Sequence, residues 1–177
     1  MSTVNLGNFV VTQESYNRAR ASTENARANH TGRKTAQDVL STLRDSKPGW
    51  VISTSRSDWG PGARNIQIDS RTLQRMADDP EVMTRYKALM MDFELQVPAV
   101  EQWMEENPGQ SIELGINLDE QGRMQAMALI RSLMGGETVH TTTLPGNSVD
   151  TWSTILGNML ESIKSGEAHG VERNWKA

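Results

Sequence analysis

The sequence predicts an α+β protein in which antiparallel hairpins pack against amphipathic helices. Alternation of apolar and polar residues predicts strands at 63–69 and 111–117. Between them, apolar residues recur at helical spacing from Val82 to Phe93. A wide apolar stripe over 148–166 predicts an amphipathic C-terminal helix. We therefore expect two antiparallel β-hairpins, separate or joined in one four-stranded sheet, packed against central helices and the C-terminal helix.

Residues 1–34 predict a polar, weakly basic leader that is mobile or marginally helical. Residues 1–47 contain seven basic and four acidic residues, whereas the whole chain carries a net charge of -4. A basic head on an acidic body is one signature of nucleic-acid binding. Here the basic residues are scattered, and Tyr16 is the aromatic side chain nearest to them, so no stacking platform is predicted. We expect no nucleic-acid partner, and we expect the leader to be dispensable for folding.

The folded domain is predicted to span residues 35–166, with a polar tail at 167–177. Thr35, followed three residues later by Asp38, predicts a capping box at the start of a short helix. The stretch 50–55 then reads as a strand that pairs with 63–69 through a loop rich in turn-forming residues. These two strands form the first predicted hairpin.

Two helix starts and a second hairpin follow. Asp79 before Pro80 predicts a helix start, and Pro98 predicts another. The alternating strand 111–117 is predicted to pair with 123–130 across a turn. The composition of 132–147, which includes two Gly and a run of Thr, predicts a loop.

The central stretch resembles a family of uncharacterised small bacterial proteins, a domain of unknown function. The residues that carry the resemblance are the strand end Asn65–Ser70, the segment Leu73–Pro80 with the helix that follows it, and the turn Gly115–Gly122. It covers about residues 40–130. Because the family has no established activity, the resemblance implies a fold and nothing more.

Motifs for catalysis and cofactor binding are sparse. The chain has no cysteine, which excludes disulfides, thiol nucleophiles and cysteine-based metal sites. It contains no HExxH motif and no glycine-rich phosphate loop. Glu101 and Glu105 are four residues apart on one predicted helix, and His140 lies in the predicted loop. These three are weak catalytic candidates, and we predict neither a metal nor a cofactor.

Two tryptophans are the candidate binding residues. Trp59 lies in a loop between predicted strands, beside Asp58, and Trp175 lies near the chain end. A tryptophan in such a loop either folds back as a plug over the sheet or projects as a binding anchor. Both alternatives stay open for Trp59.

The leading hypothesis for function is a non-enzymatic interaction or accessory protein whose partner is another protein. The first alternative is a small hydrolase that depends on carboxylates, and the second is a translocated bacterial protein with an N-terminal address. No apolar run approaches the ~20 residues of a membrane helix, and the N-terminus does not resemble a signal peptide. We therefore expect a soluble cytoplasmic protein, with export as the alternative. The sequence does not predict the oligomeric state.

Overall fold

The computed structural model describes residues 2–7, 9–29, 32–106, 111–132, 136–143 and 161. These residues form helices and two sheets, which confirms the predicted α+β class. In chain order the described elements are β1 (Thr3–Asn5), β2 (Val10–Thr12), α1 (Gln13–Ala28), α2 (Ala36–Ser46), β3 (Val51–Ser53), a 3-10 turn (Arg56–Asp58), β4 (Gly62–Ile68), α3 (Ser70–Asp78), α4 (Pro80–Glu106), β5 (Ser111–Leu118), β6 (Met124–Ser132) and β7 (Gly136–Thr143).

The main sheet has five strands in the order β3-β4-β5-β6-β7. The antiparallel hairpin of β5 and β6 is confirmed. The first pair differs from its prediction, because β3 and β4 run parallel with Val51 opposite Asn65. The connection between β3 and β4 is therefore not a hairpin turn. After the 3-10 turn, the chain runs back to the end of the sheet at which β3 starts, and β4 begins there. Helices α3 and α4 likewise return the chain to that end of the sheet, so β4 and β5 are also parallel.

Strand β7 corrects the predicted loop over 132–147. It pairs antiparallel with β6, with Glu137 opposite Arg131 and Thr143 opposite Gln125. Its run of Thr, which suggested a loop, consists of β-branched residues that favour a strand when a neighbouring strand offers its hydrogen bonds. The sheet therefore has one strand more than predicted.

One face of the sheet packs against the helices and forms the core. Ile66 and Ile116 lie side by side on that face and are fully buried. Trp50 contacts Phe93 of α4 edge to face, with ring centroids 5.8 Å apart. Helix α4 runs without interruption through Pro98, so the predicted restart there is wrong. Proline removes one backbone donor and disfavours the helix interior, but the packed sides of α4 outweigh that local penalty.

In the N-terminal segment, for which a mobile or marginally helical leader is predicted, the structure has the helix α1, which packs against α4. Its buried residues are Ser15, Ala19 and Thr23, four residues apart, so small side chains let the two helices approach closely. At the start of α1, the Asp92 carboxylate of α4 accepts hydrogen bonds from the Thr12 backbone N–H and hydroxyl, both at 2.7 Å. The sequence argument counted large apolar residues and therefore missed this packing.

Local signals at helix starts are confirmed. The capping box of Thr35 and Asp38 is formed at α2, and Asp79 precedes α4 with its carboxylate bound to the Glu81 N–H. The predicted C-terminal helix over 148–166 and the tail over 167–177 lie outside the described residues, apart from residue 161. Among the described helices, none has both the length and the apolar character that a bilayer crossing requires.

Candidate functional site

A polar groove lies where the three parallel strands β3, β4 and β5 end. In open sheets, ligands commonly bind outside the carboxyl ends of parallel strands, because the following loops meet there. The groove has a volume of about 740 Å³. We call it the polar groove; its lining residues are Ser55, Arg56, Ser57, Gln67, Asp69, Asn117, Asp119, Glu120, Gln121, Arg123, Gln125 and Met127.

The first rim of the polar groove is the loop after β3. The Ser53 hydroxyl donates to the Asp58 carboxylate, and the Ser55 N–H donates to the Ser53 oxygen at 3.0 Å. The hydroxyls of Ser55 and Ser57 are 2.7 Å apart and bonded to each other. Asp58, a predicted binding residue, therefore closes this loop internally and lines no part of the polar groove.

The second rim is the turn between β5 and β6. Asp119 accepts from the backbone N–H of Gln121 at 3.0 Å and of Arg123 at 2.8 Å. The hydroxyl of Tyr86 donates to the Gly122 carbonyl at 3.0 Å, and burial raises the pKa of this tyrosine. A side chain at position 122 would overlap the Tyr86 hydroxyl, and φ there is 75°, so glycine is required. The turn is thus anchored to α4 before any ligand arrives.

The floor of the polar groove carries three amide side chains, from Gln67, Asn117 and Gln125. The Asn117 amide donates to the Gln125 oxygen at 3.4 Å, and the Gln67 amide donates to the Thr54 carbonyl at 3.5 Å. Both distances are at the long end for hydrogen bonds. These amides can therefore exchange such weak contacts for stronger ones to a ligand.

The rim carboxylates of the polar groove are already engaged. Both oxygens of Asp119 accept hydrogen bonds, one of them from the Arg123 guanidinium at 2.8 Å. Glu120 binds Arg71 at 2.5 Å through one oxygen and Gln121 at 2.6 Å through the other. Because Asp119 and Glu120 are each paired with an arginine, this rim offers no unpaired carboxylate to a cation and suits a polar ligand without net charge.

The structure decides between the two alternatives for Trp59. The side chain is 5% exposed and packs with Met127 of β6 and Val51 of β3 on the face of the sheet away from the core. It therefore does not project as an anchor; it is a plug, carried over this face by the chain that returns from β3 to β4. The predicted binding residue Trp175 lies outside the described residues.

The weak catalytic candidates are not assembled into a site within the described residues. Glu101 forms two hydrogen bonds with the Arg64 guanidinium, at 2.8 and 3.2 Å, so its carboxylate is committed to an ion pair. Glu105 is exposed on α4. His140 lies in β7 opposite Ala128, not in a loop, and its side chain is outside the description. In the described part of the chain, no three His, Asp or Glu side chains are placed to hold a metal ion.

The residues of the polar groove were missed at the sequence level. The alternating strand 111–117 did place Asn117 on the polar face, which the simplest interpretation assigns to solvent. The signal that could have found the site was the polar alternate positions of two strands, at Gln67 and Asn117. That signal carries meaning only once β4 and β5 are known to be neighbours.

These features define an α+β protein whose parallel strands end at a polar groove. Residues 55–139 match the model of a protein family of unknown function (DUF6033), so the chain resembles an uncharacterised domain family, as the sequence predicts. Every residue that lines the polar groove falls within the matched segment. No curated protein and no solved structure matches the chain.

Proposed function

We propose that this chain is a non-enzymatic binding protein that holds an extended peptide segment of a partner protein in the polar groove. The observation that carries the proposal is the amide floor of Gln67, Asn117 and Gln125. An amide side chain offers both donors and an acceptor, which complements the N–H and C=O groups of a peptide backbone. Peptide recognition of this kind needs no net charge in the groove, in accord with the paired rim carboxylates.

The two rims of the polar groove are ordered without a ligand, which supports the same proposal. Both loops are fixed by internal hydrogen bonds, at Asp58 in the first rim and at Asp119 and Gly122 in the second. A site that is already ordered loses little conformational entropy when a ligand binds. Residues 55–57, which line the polar groove, are close in sequence to Trp59. The proposed interface therefore uses the loop in which binding was predicted, but not the tryptophan itself.

The hydrolase alternative has no comparable support among the described residues, since the Glu101 carboxylate is held by Arg64. Translocation with an N-terminal address stays a prediction. We keep a bacterial, cytoplasmic accessory protein as the proposed setting.

The test is a selection of peptides from a random library displayed on phage, with the full chain immobilised. We expect enriched peptides whose labelled synthetic copies bind the protein in fluorescence polarisation. Gln67→Ala and Gln125→Ala should each weaken that binding by roughly tenfold, because each removes hydrogen bonds to the peptide backbone. The matched control is Gln102→Ala, an exposed glutamine on α4, which should leave the affinity unchanged.

Two results would contradict the proposal. One is a selection that enriches no peptide above a surface without protein. The other is equal loss of affinity in all three variants, because the peptide would then bind somewhere other than the polar groove.

A further inference from the structure

A second cavity lies among α1, α2, α3 and the start of α4. Its volume is about 290 Å³. We call it the basic pocket; its lining residues are Thr23, Arg27, Gly32, Arg33, Lys34, Val39, Thr42, Met76, Ala77, Asp78, Pro80 and Met83. Several of these lie before residue 55, outside the segment that matches the family of unknown function.

The charges that line the basic pocket are unbalanced. Three cations, from Arg27, Arg33 and Lys34, face one carboxylate, from Asp78. The Arg33 guanidinium lies 3.5 Å from that carboxylate, which is long for an ion pair. The Arg33 and Asp78 side chains are 85% and 46% exposed. Within the described residues, neither Arg27 nor Lys34 forms an ion pair. The pocket therefore keeps excess positive charge that an anion would neutralise.

A buried lysine on α4 adds positive charge near the basic pocket, since the charge of Lys34 acts on it. Lys87 is 8% exposed and lies one helical turn beyond Met83 on α4. Its ammonium donates to the Ser22 hydroxyl at 3.1 Å, a neutral partner. Burial, and then the charge of Lys34, lower the pKa of Lys87. Buried charges are normally paired, so a buried ammonium with a neutral partner is typical of a functional site.

Besides its charged residues and two threonines, the basic pocket has apolar walls. Val39 of α2, Met76 of α3 and Met83 of α4 line it and are themselves buried. A cavity of this size accommodates a small molecule. Guanidinium groups bind phosphate oxygens through paired hydrogen bonds, and the methionines adapt to an apolar group of irregular shape.

We propose that the basic pocket binds a small organic phosphate, with the phosphate at Arg27, Arg33 and Lys34 and an apolar ester group against Met76 and Met83. This site is independent of the polar groove, and nothing in the proposal requires a peptide to be bound there. Either proposal can fail without the other.

The experiment uses phenyl phosphate as the probe, with the full chain in a buffer free of phosphate. Isothermal titration calorimetry measures the affinity, and thermal unfolding measures the stabilisation by bound ligand. Inorganic phosphate tests the charge alone, and benzyl alcohol tests the apolar group alone. We expect phenyl phosphate to bind and to raise Tm, and each partial probe to bind at least tenfold more weakly.

The double variant Arg33→Gln/Lys34→Gln should weaken phenyl phosphate binding by roughly tenfold or more, because it removes charge-assisted hydrogen bonds. Arg18→Gln is the matched control, since Arg18 is exposed on α1 and does not line the pocket. It should bind as the parent does. Arg18 and Arg33 are exposed and Lys34 is half-buried, and circular dichroism checks that each variant is folded.

Three outcomes would overturn the proposal. The first is no heat and no shift of Tm with phenyl phosphate at millimolar concentration. The second is equal weakening in the double variant and in Arg18→Gln, which indicates attraction to the net positive charge of the N-terminal segment and not to the pocket. The third is inorganic phosphate binding as tightly as phenyl phosphate, which excludes a role for the apolar walls.

Discussion

The two faces of the main sheet differ in chemistry. On the face that packs against the helices, neighbouring strands present Ile66 and Ile116, both fully buried. On the opposite face, the next residues along the same strands are Gln67 and Asn117, again neighbours. One corner of that second face is apolar, where Trp59 packs with Met127 and Val51. One set of strands therefore builds a core on one side and the polar groove on the other.

This difference indicates that stability and recognition are separated by the alternation of the strands. A residue on the first face loses contacts with several helices when it is truncated, whereas a groove amide loses only long hydrogen bonds. The exceptions are the Trp59 corner and the point where β4 and β5 approach most closely. The predictions below test the separation at those places.

The largest effect is expected at the apolar corner of the second face. Trp59→Ala should lower the free energy of unfolding by about 3–5 kcal/mol, because it leaves a cavity over Met127. The indole N–H is buried without a hydrogen-bond partner in the described part of the chain, so Trp59→Phe should lower stability much less. Urea denaturation followed by circular dichroism measures both. Little loss in Trp59→Ala would mean that the corner is not packed.

Adjacent residues of β4 provide the sharpest contrast between the faces. Ile66→Ala should cost roughly 2–5 kcal/mol, since the side chain is fully buried against the helices. Gln67→Ala, one residue along, should change stability by less than about 0.5 kcal/mol. The same urea titration compares them. Similar losses at both positions would remove the distinction between the faces.

Gly115 tests the close approach of β4 and β5. A Cβ at this position would overlap the backbone carbonyl of Asn65, whose side-chain amide also donates to Gly60, Gly62 and Leu114 carbonyls at 3.0 to 3.2 Å. Gly115→Ala should therefore cost about 1–3 kcal/mol through overpacking. A neutral result in thermal unfolding would show that the two strands separate easily.

Lys87 is a buried cation within the helical layer, and its effect on stability depends on pH. Burial, and then the charge of Lys34, lower its pKa in the folded chain, because the charged ammonium is less favourable there than in the unfolded chain. As pH rises through the lowered pKa towards the ordinary value of 10.5, the unfolded chain holds a proton that the folded chain has released. Stability contributed by this residue therefore rises over that window.

The matched variant is Lys87→Met, which should be more stable than the parent at neutral pH. Urea denaturation at a series of pH values should show this advantage shrinking as pH rises towards 10.5. Titration of Tyr86 affects both proteins and cancels in the difference. A constant difference between the two proteins would contradict the uncompensated charge.

Local signals predicted much of this fold. The capping box at Thr35, the helix start at Asp79 and the hairpin around Gly122 depend on residues a few positions apart, and all three are formed. The pairing of strands that are distant in the sequence was harder to predict. The loop around Trp59 has the composition of a hairpin, yet the chain returns across the sheet because β4 must lie parallel to β5.

The candidate sites depended on the same non-local information. Arg33 and Lys34 look like scattered charges in a polar leader until α1 packs on α4 and brings them beside Asp78. Gln125 joins Gln67 only through the order of the strands. No pattern in the sequence records which polar faces meet, so neither site was visible before the fold.

The most direct test of the separation between the faces is a nuclear magnetic resonance titration with a peptide selected from the library. Side-chain amide signals of Gln67, Asn117 and Gln125 should shift on binding, while the methyl signals of Ile66 and Ile116 stay in place. Shifts confined to the helices, with the three amide signals unmoved, would contradict the assignment of the polar face to recognition.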